Sequence, residues 1–228
     1  MTRIPAKLAA LAFAALVTAG TTHAATLPAH HRDYTTSAVD GGRECKVGVV
    51  TDADGMHAKG IVYVTDGKTP IWATTLKLPE FTEQARATHC VQSGKSLYVL
   101  VQGDTNTSPS LGQTLLNVAQ LDAPTGKVQA MEYVDLADVK GSVSMSAKLD
   151  SKNFRVTSPE TIEVAGKYVL TDAPDVSHDF KVTVKIPLAQ STQQVDQHLQ
   201  QQSHQQGQQT NEPQQAQATQ QKASQPSL

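Results

Sequence analysis

The sequence predicts an all-β fold: a single antiparallel domain of about ten short strands over residues 44–188, with a disordered C-terminal tail. Runs rich in Val, Ile, Thr and Tyr recur at short intervals. Gly, Pro, Asp and Ser bound these runs in combinations typical of turns. Apolar and polar residues alternate in several of them, as in half-buried strands. This pattern fits a sandwich, an open barrel or a partial propeller-like stack.

The N-terminus resembles a secretory signal peptide, residues 1–24. Arg3 and Lys7 supply the positive charge, residues 8–17 the apolar core, and residues 22–24 a small-x-small cleavage site. The apolar run is too short for the alternative, a transmembrane anchor. We therefore expect cleavage near Ala24 and a periplasmic or secreted bacterial protein with no membrane span after signal removal.

The mature chain is expected to begin with a flexible lead-in, residues 25–43, because this stretch is polar and turn-like. Residues 44–51, 60–65 and 70–78 then predict the first strands of the domain. Trp72, the only tryptophan, is expected in the core; the alternative is a surface anchor for a partner.

The turn after the first strand carries Asp52 and Asp54, which are spaced like the first two ligands of a calcium loop. Such a loop needs a third oxygen ligand where Met56 stands, a later glycine than Gly55, and a closing glutamate. A hairpin turn is therefore the better interpretation.

Residues 79–88 favour one or two turns of helix, the only helix expected inside the domain. Pro79 suits a first helical position, and Glu80 and Glu83 lie in the early turn, where negative charge is favourable.

Residues 87–134 read as four short strands, and the rest of the domain is organised around them. Both faces of the SLYVLVQ run, residues 96–102, are apolar, so this strand is expected to be buried on both sides. The segments SGKSLYVL and LDAPTGKV resemble one blade of a quinoprotein-like β-propeller; the alternative is an ordinary antiparallel meander. The resemblance implies a four-stranded sheet. The folded part is too short for a full propeller, so no quinone cofactor is expected.

The remaining strands are expected between residues 142 and 186. The last of them, residues 180–186, alternates with Phe180, Val182 and Val184 on the inner face. After it the composition changes abruptly. Residues 189–228 are dominated by glutamine and are predicted to be disordered, since they cannot bury enough apolar surface to fold alone.

Cys45 and Cys90 are the only cysteines. In an oxidising compartment an even pair usually forms a disulfide, which would tie the first strand of the domain to the four-strand unit. The alternatives are a metal pair or a catalytic thiol, and neither has a local motif.

No nucleophile elbow, phosphate loop or zinc motif is present in the sequence, so no catalytic residue, metal ligand or cofactor is predicted. One loop nevertheless collects acids and an imidazole. It contains Asp172, Asp175, His178 and Asp179. Such groups can bind a divalent ion or act as a base, but a solvated loop is the preferred interpretation.

The net charge of −2 is scattered along the chain, which argues against nucleic-acid binding. These features favour an exported, non-enzymatic binding protein, for example an inhibitor or immunity protein against an envelope-targeting hydrolase. A loop on the β scaffold is the expected partner-binding element. It comprises Asp104, Thr105, Asn106, Thr107, Ser108, Pro109, Ser110 and Leu111. The alternatives are a small-ligand carrier or envelope assembly factor, and an enzyme with a site assembled near His178.

Overall fold

The computed structural model describes residues 24–79, 81–106 and 112–186. In these residues twelve antiparallel strands form three four-stranded sheets, none of them closed. The predicted all-β antiparallel fold is therefore confirmed, with somewhat more strands than expected. Nearly all of the predicted signal peptide and the whole of the predicted tail, 189–228, lie outside the described residues.

Sheet 1 is formed by the first four strands in simple order. They are β1 His31–Val39, β2 Arg43–Val50, β3 Lys59–Asp66 and β4 Thr69–Thr75. The prediction of a flexible lead-in over residues 25–43 is wrong, because β1 occupies much of it. This strand is mostly exposed and lacks apolar alternation; backbone pairing with β2 and a hydrogen bond from Thr35 Oγ1 to the Thr88 carbonyl hold it in place.

Sheet 2 contains the four-strand unit expected in residues 87–134. Its strands are β5 Thr82–Ser93, β6 Ser96–Asn106, β7 Gly112–Asp122 and β8 Val128–Tyr133. The helix expected over residues 79–88 is wrong: β5 starts at Thr82, and pairing with β6 overrides the local helix preference. The likeness of this unit to a propeller blade stays a prediction.

Sheet 3 has a divided edge. Its strands are β9 Val143–Ala147, β10 Phe154–Ser158, β11 Thr161–Leu170 and β12 Ala173–Lys185. β12 pairs with one edge of β11, while β10 and β9 pair in succession with the other. The loop expected over residues 172–179 is wrong from Ala173 onward, because these residues belong to β12. The first half of β12 is polar and largely exposed, so its sequence lacks the apolar alternation that would predict a strand.

The three sheets stack, with sheet 2 in the middle. One core lies between sheets 1 and 2, and the other between sheets 2 and 3. Residues of β6 alternate between these cores, as the sequence predicts. Leu97, Val99 and Val101 enter the first core, and Tyr98 and Leu100 the second. β6 is thus buried on both faces, as predicted, and the three open sheets pack face to face around two cores.

Trp72 lies in the first core, as expected, and is 7% exposed. Its indole Nε1 donates a hydrogen bond of 2.9 Å to the Ala123 carbonyl of the β7–β8 turn. The backbone of Gly126 packs directly on the ring, so that a Cβ there would lie 2.3 Å from Trp72 Cε3.

Several strand ends of sheets 1 and 2 lie at a common end of the two sheets, which we call the loop end. Antiparallel pairing brings the β2–β3 turn, the end of β4, the start of β5, the end of β6 and the start of β7 there, beside the start of β1. The Ala85 amide donates to the Ala58 carbonyl at 2.7 Å and links the two sheets at this point. The loop end is therefore a surface built from distant parts of the chain.

Candidate functional site

A cavity of about 270 Å³ opens between sheets 1 and 2 at the loop end. Its lining includes His30, Arg32, Tyr34, Thr51, Gln84, Arg86 and Asp104. These residues come from the start of β1, from the β2–β3 turn and from strands β5 and β6. We call this the loop-end cavity; its polar and cationic lining makes it the best candidate site.

A bulge in β1 shapes one wall of the cavity. Asp33 pairs with Gly48 and Thr35 with Val47, so Tyr34 is an extra residue without a partner. Such bulges re-aim a side chain, and Tyr34 lines the cavity. Gly48 is required opposite the bulge, because a Cβ there would lie 1.9 Å from the Arg32 carbonyl oxygen.

The charges in the cavity are only partly compensated. Arg86 Nη1 lies 3.9 Å from Asp104 Oδ2, and both side chains are about two-fifths exposed. Arg32 forms no ion pair with any described residue. Asp104 Oδ1 also accepts a 2.8 Å hydrogen bond from Thr114 Oγ1, which fixes the carboxylate in the wall. The cavity thus offers guanidinium groups to an incoming polar or anionic group.

The predicted partner-binding loop is divided by the structure. Asp104 lies in the cavity wall. Thr105 and Asn106 belong to β6, not to a loop, and Thr105 is buried with its Oγ1 donating to the Gln113 carbonyl. The predicted loop therefore starts too early in the sequence, because β6 extends to Asn106. Residues 107–111 lie outside the described residues.

The β2–β3 turn at the rim is held by Asp52. Its Oδ1 accepts from the Met56 amide and its Oδ2 from His57 Nδ1, each at 2.7 Å. These bonds, that of His57 first, lower the pKa of Asp52. His57 has a φ of 51° and is largely exposed, so the pair stabilises a tight turn, as the hairpin interpretation expects. Among the described residues no cluster of three or more His, Cys, Asp or Glu is arranged to hold a metal ion.

The acid–histidine group at residues 172–179 does not form one site. His178 stacks on Tyr168 with ring centroids 5.0 Å apart. Asp179, its neighbour on β12, faces the other side of the sheet. Its Oδ1 lies 2.8 Å from Lys148 Nζ and 3.3 Å from Lys167 Nζ, and these contacts lower its pKa. The enzyme hypothesis centred on His178 stays a prediction.

His89 is a buried titratable residue that the sequence pattern did not single out. It is 5% exposed, beside Phe154 of sheet 3, and its Nδ1 lies 3.0 Å from Thr88 Oγ1. Burial lowers its pKa, although the backbone carbonyls of Lys148 and Asp150 act in the opposite direction. Its Nε2 meets no described hydrogen-bond partner in good geometry. Polar and apolar residues are mixed along β5 without regular alternation, so their pattern gives no signal of this burial.

The predicted disulfide is confirmed: Cys45 of β2 and Cys90 of β5 are bonded, which links sheets 1 and 2. No described helix has the length and apolar character needed to cross a membrane. In comparisons with known proteins, no family model, curated protein or solved structure matches this chain.

Proposed function

We propose that the chain is an exported envelope protein that binds another protein through its loop end. In its most concrete form it is an inhibitor or immunity protein against a hydrolase that attacks the envelope. The disulfide supports this placement, because such bonds persist in oxidising compartments. The three stacked sheets supply the rigid scaffold on which recognition loops are usually carried.

The observation that carries the proposal is the set of exposed apolar side chains around the loop-end cavity. Tyr34 is 45% exposed, Met56 54% and Phe81 46%. They lie in β1, in the β2–β3 turn and before β5, and the arginines Arg32 and Arg86 line the cavity near them. Aromatic residues, methionine and arginine are the types enriched at protein interfaces.

The test is affinity capture from periplasmic extract with the mature chain, residues 25–228, as bait. The loop-end variant M56S/F81S is compared with V128S/L149S, a matched control that also removes two exposed apolar residues. We expect a stoichiometric partner on wild type and control that is lost from the loop-end variant. Equal capture by all three baits would contradict the proposed surface.

The captured protein also tests the inhibitor form of the proposal. If it is a cell-wall or membrane hydrolase, wild-type chain should inhibit its activity in stoichiometric titration, and M56S/F81S should not. A partner whose activity is unchanged would leave binding established but would contradict inhibition.

The loop-end cavity itself supports the second candidate, a small-ligand carrier. At about 270 Å³ with a polar lining, it can accept one small polar group rather than a large apolar molecule. A rise in melting temperature with a small carboxylate such as succinate, lost in R32S, would support this function. No rise with wild type would argue against it.

A further inference from the structure

The edge of sheet 3 is formed by β12, Ala173–Lys185, the longest strand among the described residues at 13 residues. It pairs with β11 on one side only, and no described strand pairs with its other side. An edge strand presents unpaired backbone N–H and C=O groups that can template another strand. Proteins usually keep such edges short, so one of this length points to an interaction surface.

The outward face of β12 has an ordered charge pattern. From Ser177 to Lys185 the pairing with β11 is regular, and Phe180 and Val184 are buried beneath the sheet. The alternate residues therefore face outward, and they include Asp179 before the centre of this stretch and Lys181 and Lys185 after it. The acidic and basic ends of the strand are thus complementary to each other.

We propose that β12 pairs antiparallel with β12 of a second copy of this chain, centred on Phe180. In this register Asp179 of each copy lies opposite Lys181 of the other, and Ser177 lies opposite Thr183. Opposite charges directly across an antiparallel pair are favourable, and like charges are unfavourable. Sheet 3 of each copy would then continue into sheet 3 of the other.

The neighbouring registers are disfavoured by the same charges. Moving the centre back by one residue places Asp179 opposite Asp179 of the other copy. Moving it forward by one residue places Lys181 opposite Lys181. Lysines usually protect an edge because they meet like charges on self-pairing. Here they exclude the wrong registers and fit the proposed one.

Ion pairs within each copy extend the pattern across the interface. Asp179 already lies between Lys148 and Lys167, and Lys181 Nζ lies 3.0 Å from Glu163 Oε2. In the proposed pair each charge therefore has neighbours of opposite sign on both sides. Exposed ion pairs contribute little to affinity, so they select the register while backbone hydrogen bonds supply the association. We expect a weak dimer that added salt weakens further.

Disulfide trapping in the full mature chain tests the register directly. S177C and T183C are each exposed single substitutions that alter no charge. Under mild oxidation an equimolar mixture of the two variants should give a covalent dimer, and S177C/T183C alone should give the same product. Each single variant alone should not cross-link, because its cysteines lie far apart in this register. Failure of the mixture to cross-link, or equal cross-linking by the single variants, would overturn the proposal.

Charge exchange tests the interaction without cysteines. In sedimentation, K181E alone and D179K alone should be monomeric where the wild type is a dimer, since each places like charges together. Their equimolar mixture should restore the dimer, because each mutated residue then faces its opposite. Circular dichroism confirms that both variants are folded. A wild type that stays monomeric at every concentration, or a dimer insensitive to both substitutions, would overturn the proposal. Because this surface is on sheet 3, the result does not depend on whether a partner binds at the loop end.

Discussion

At the scale of single residues, the contact between Trp72 and Gly126 shows how one turn and one side chain fix two sheets together. Gly126 has a φ of 71°, a conformation that costs an ordinary residue about 1–2 kcal/mol. It also lies directly on the indole ring, so even a methyl group would collide with Trp72. The turn from β7 to β8 thus needs glycine for two separate reasons.

We therefore expect Gly126→Ala to lower the free energy of unfolding by about 2–4 kcal/mol, from backbone strain plus displacement of Trp72. Gly94→Ala is the matched control, since Gly94 also has positive φ but a Cβ there would meet nothing within 4 Å. That control should lower the free energy of unfolding by only about 1–2 kcal/mol, the backbone strain alone. Urea unfolding measures both, and equal losses would show that the Trp72 contact adds nothing.

Burial of His89 should make the free energy of unfolding depend on pH. Unfolded histidine titrates near about pH 6.5, and burial lowers the pKa of His89 in the folded protein. As pH falls below the unfolded value, the unfolded chain takes up a proton that the folded chain does not. The stability contributed by neutral His89 is therefore complete above that value, and is lost as pH falls from it toward the lowered folded pKa.

We expect His89→Gln to remove this dependence. The stability difference between wild type and His89→Gln should be constant above about pH 6.5 and should shift against the wild type below it, by up to about 1.4 kcal/mol per pH unit. Urea unfolding across a pH series measures the difference. A difference that does not change with pH would mean that His89 has the same pKa in both states.

Some individual residues could be predicted from sequence and others could not. The pairing of Cys45 with Cys90 follows because they are the only cysteines, and the burial of Trp72 follows from its large apolar ring. Both predictions are confirmed. Tyr34 could not be found as a cavity residue, because it depends on a bulge opposite Gly48. The one available signal was a glycine inside an apolar strand, which often marks a close backbone approach.

At the scale of elements, the disulfide joins β2 to β5 and so closes a loop between two sheets. The bonded residues are 45 positions apart. Cross-linking a loop of this length removes conformational freedom chiefly from the unfolded chain. The bond therefore clamps sheet 1 to sheet 2 and makes no link to sheet 3.

We expect C45A/C90A to lower the free energy of unfolding by about 4 kcal/mol, the chain-entropy value for this loop length. Single C45A should lose a similar amount, because it breaks the same bond. Reduced wild type is the control for side-chain packing, and it should resemble the variants in urea unfolding. If C45A/C90A and reduced wild type are nearly as stable as oxidised wild type, the disulfide constrains the unfolded chain little.

The strand buried on both faces was predictable, and two largely exposed edge segments were not. β6 carries apolar residues on both faces, and its sequence alone predicts its central place. β1 and the first half of β12 are polar and largely exposed, so their pairing leaves no apolar alternation to detect. The start of β5 had local helix preference that only pairing with β6 overrides. The loop-end cavity is lined in large part by β1 and the start of β5, two of these poorly predicted segments, which explains why Asp104 is the one predicted site residue in its wall.

At the scale of the whole molecule, the three sheets are not held equally. Sheet 2 is covered on both faces, and sheet 1 is joined to it by a core and by the disulfide. Sheet 3 is joined to sheet 2 by the second core and by a few hydrogen bonds, such as that from the Thr114 amide to Ser144 Oγ, but by no covalent bond. Its outer face is a set of ion pairs around Glu163 and Asp179, which contribute little stability. Local opening should therefore begin in sheet 3.

Native-state hydrogen exchange tests this order. Amides of β6 and β7 should be the most protected, because their opening requires both cores to separate. Those of β11 and β12 should exchange faster, through an opening that leaves sheets 1 and 2 intact. Reduction of the disulfide should speed exchange in sheet 1 and leave sheet 3 unchanged, since the bond does not reach it. Equal protection in all three sheets would instead show that the stack opens only as one cooperative unit, in which the second core and the hydrogen bonds beside it couple sheet 3 to the rest as firmly as the disulfide couples sheet 1.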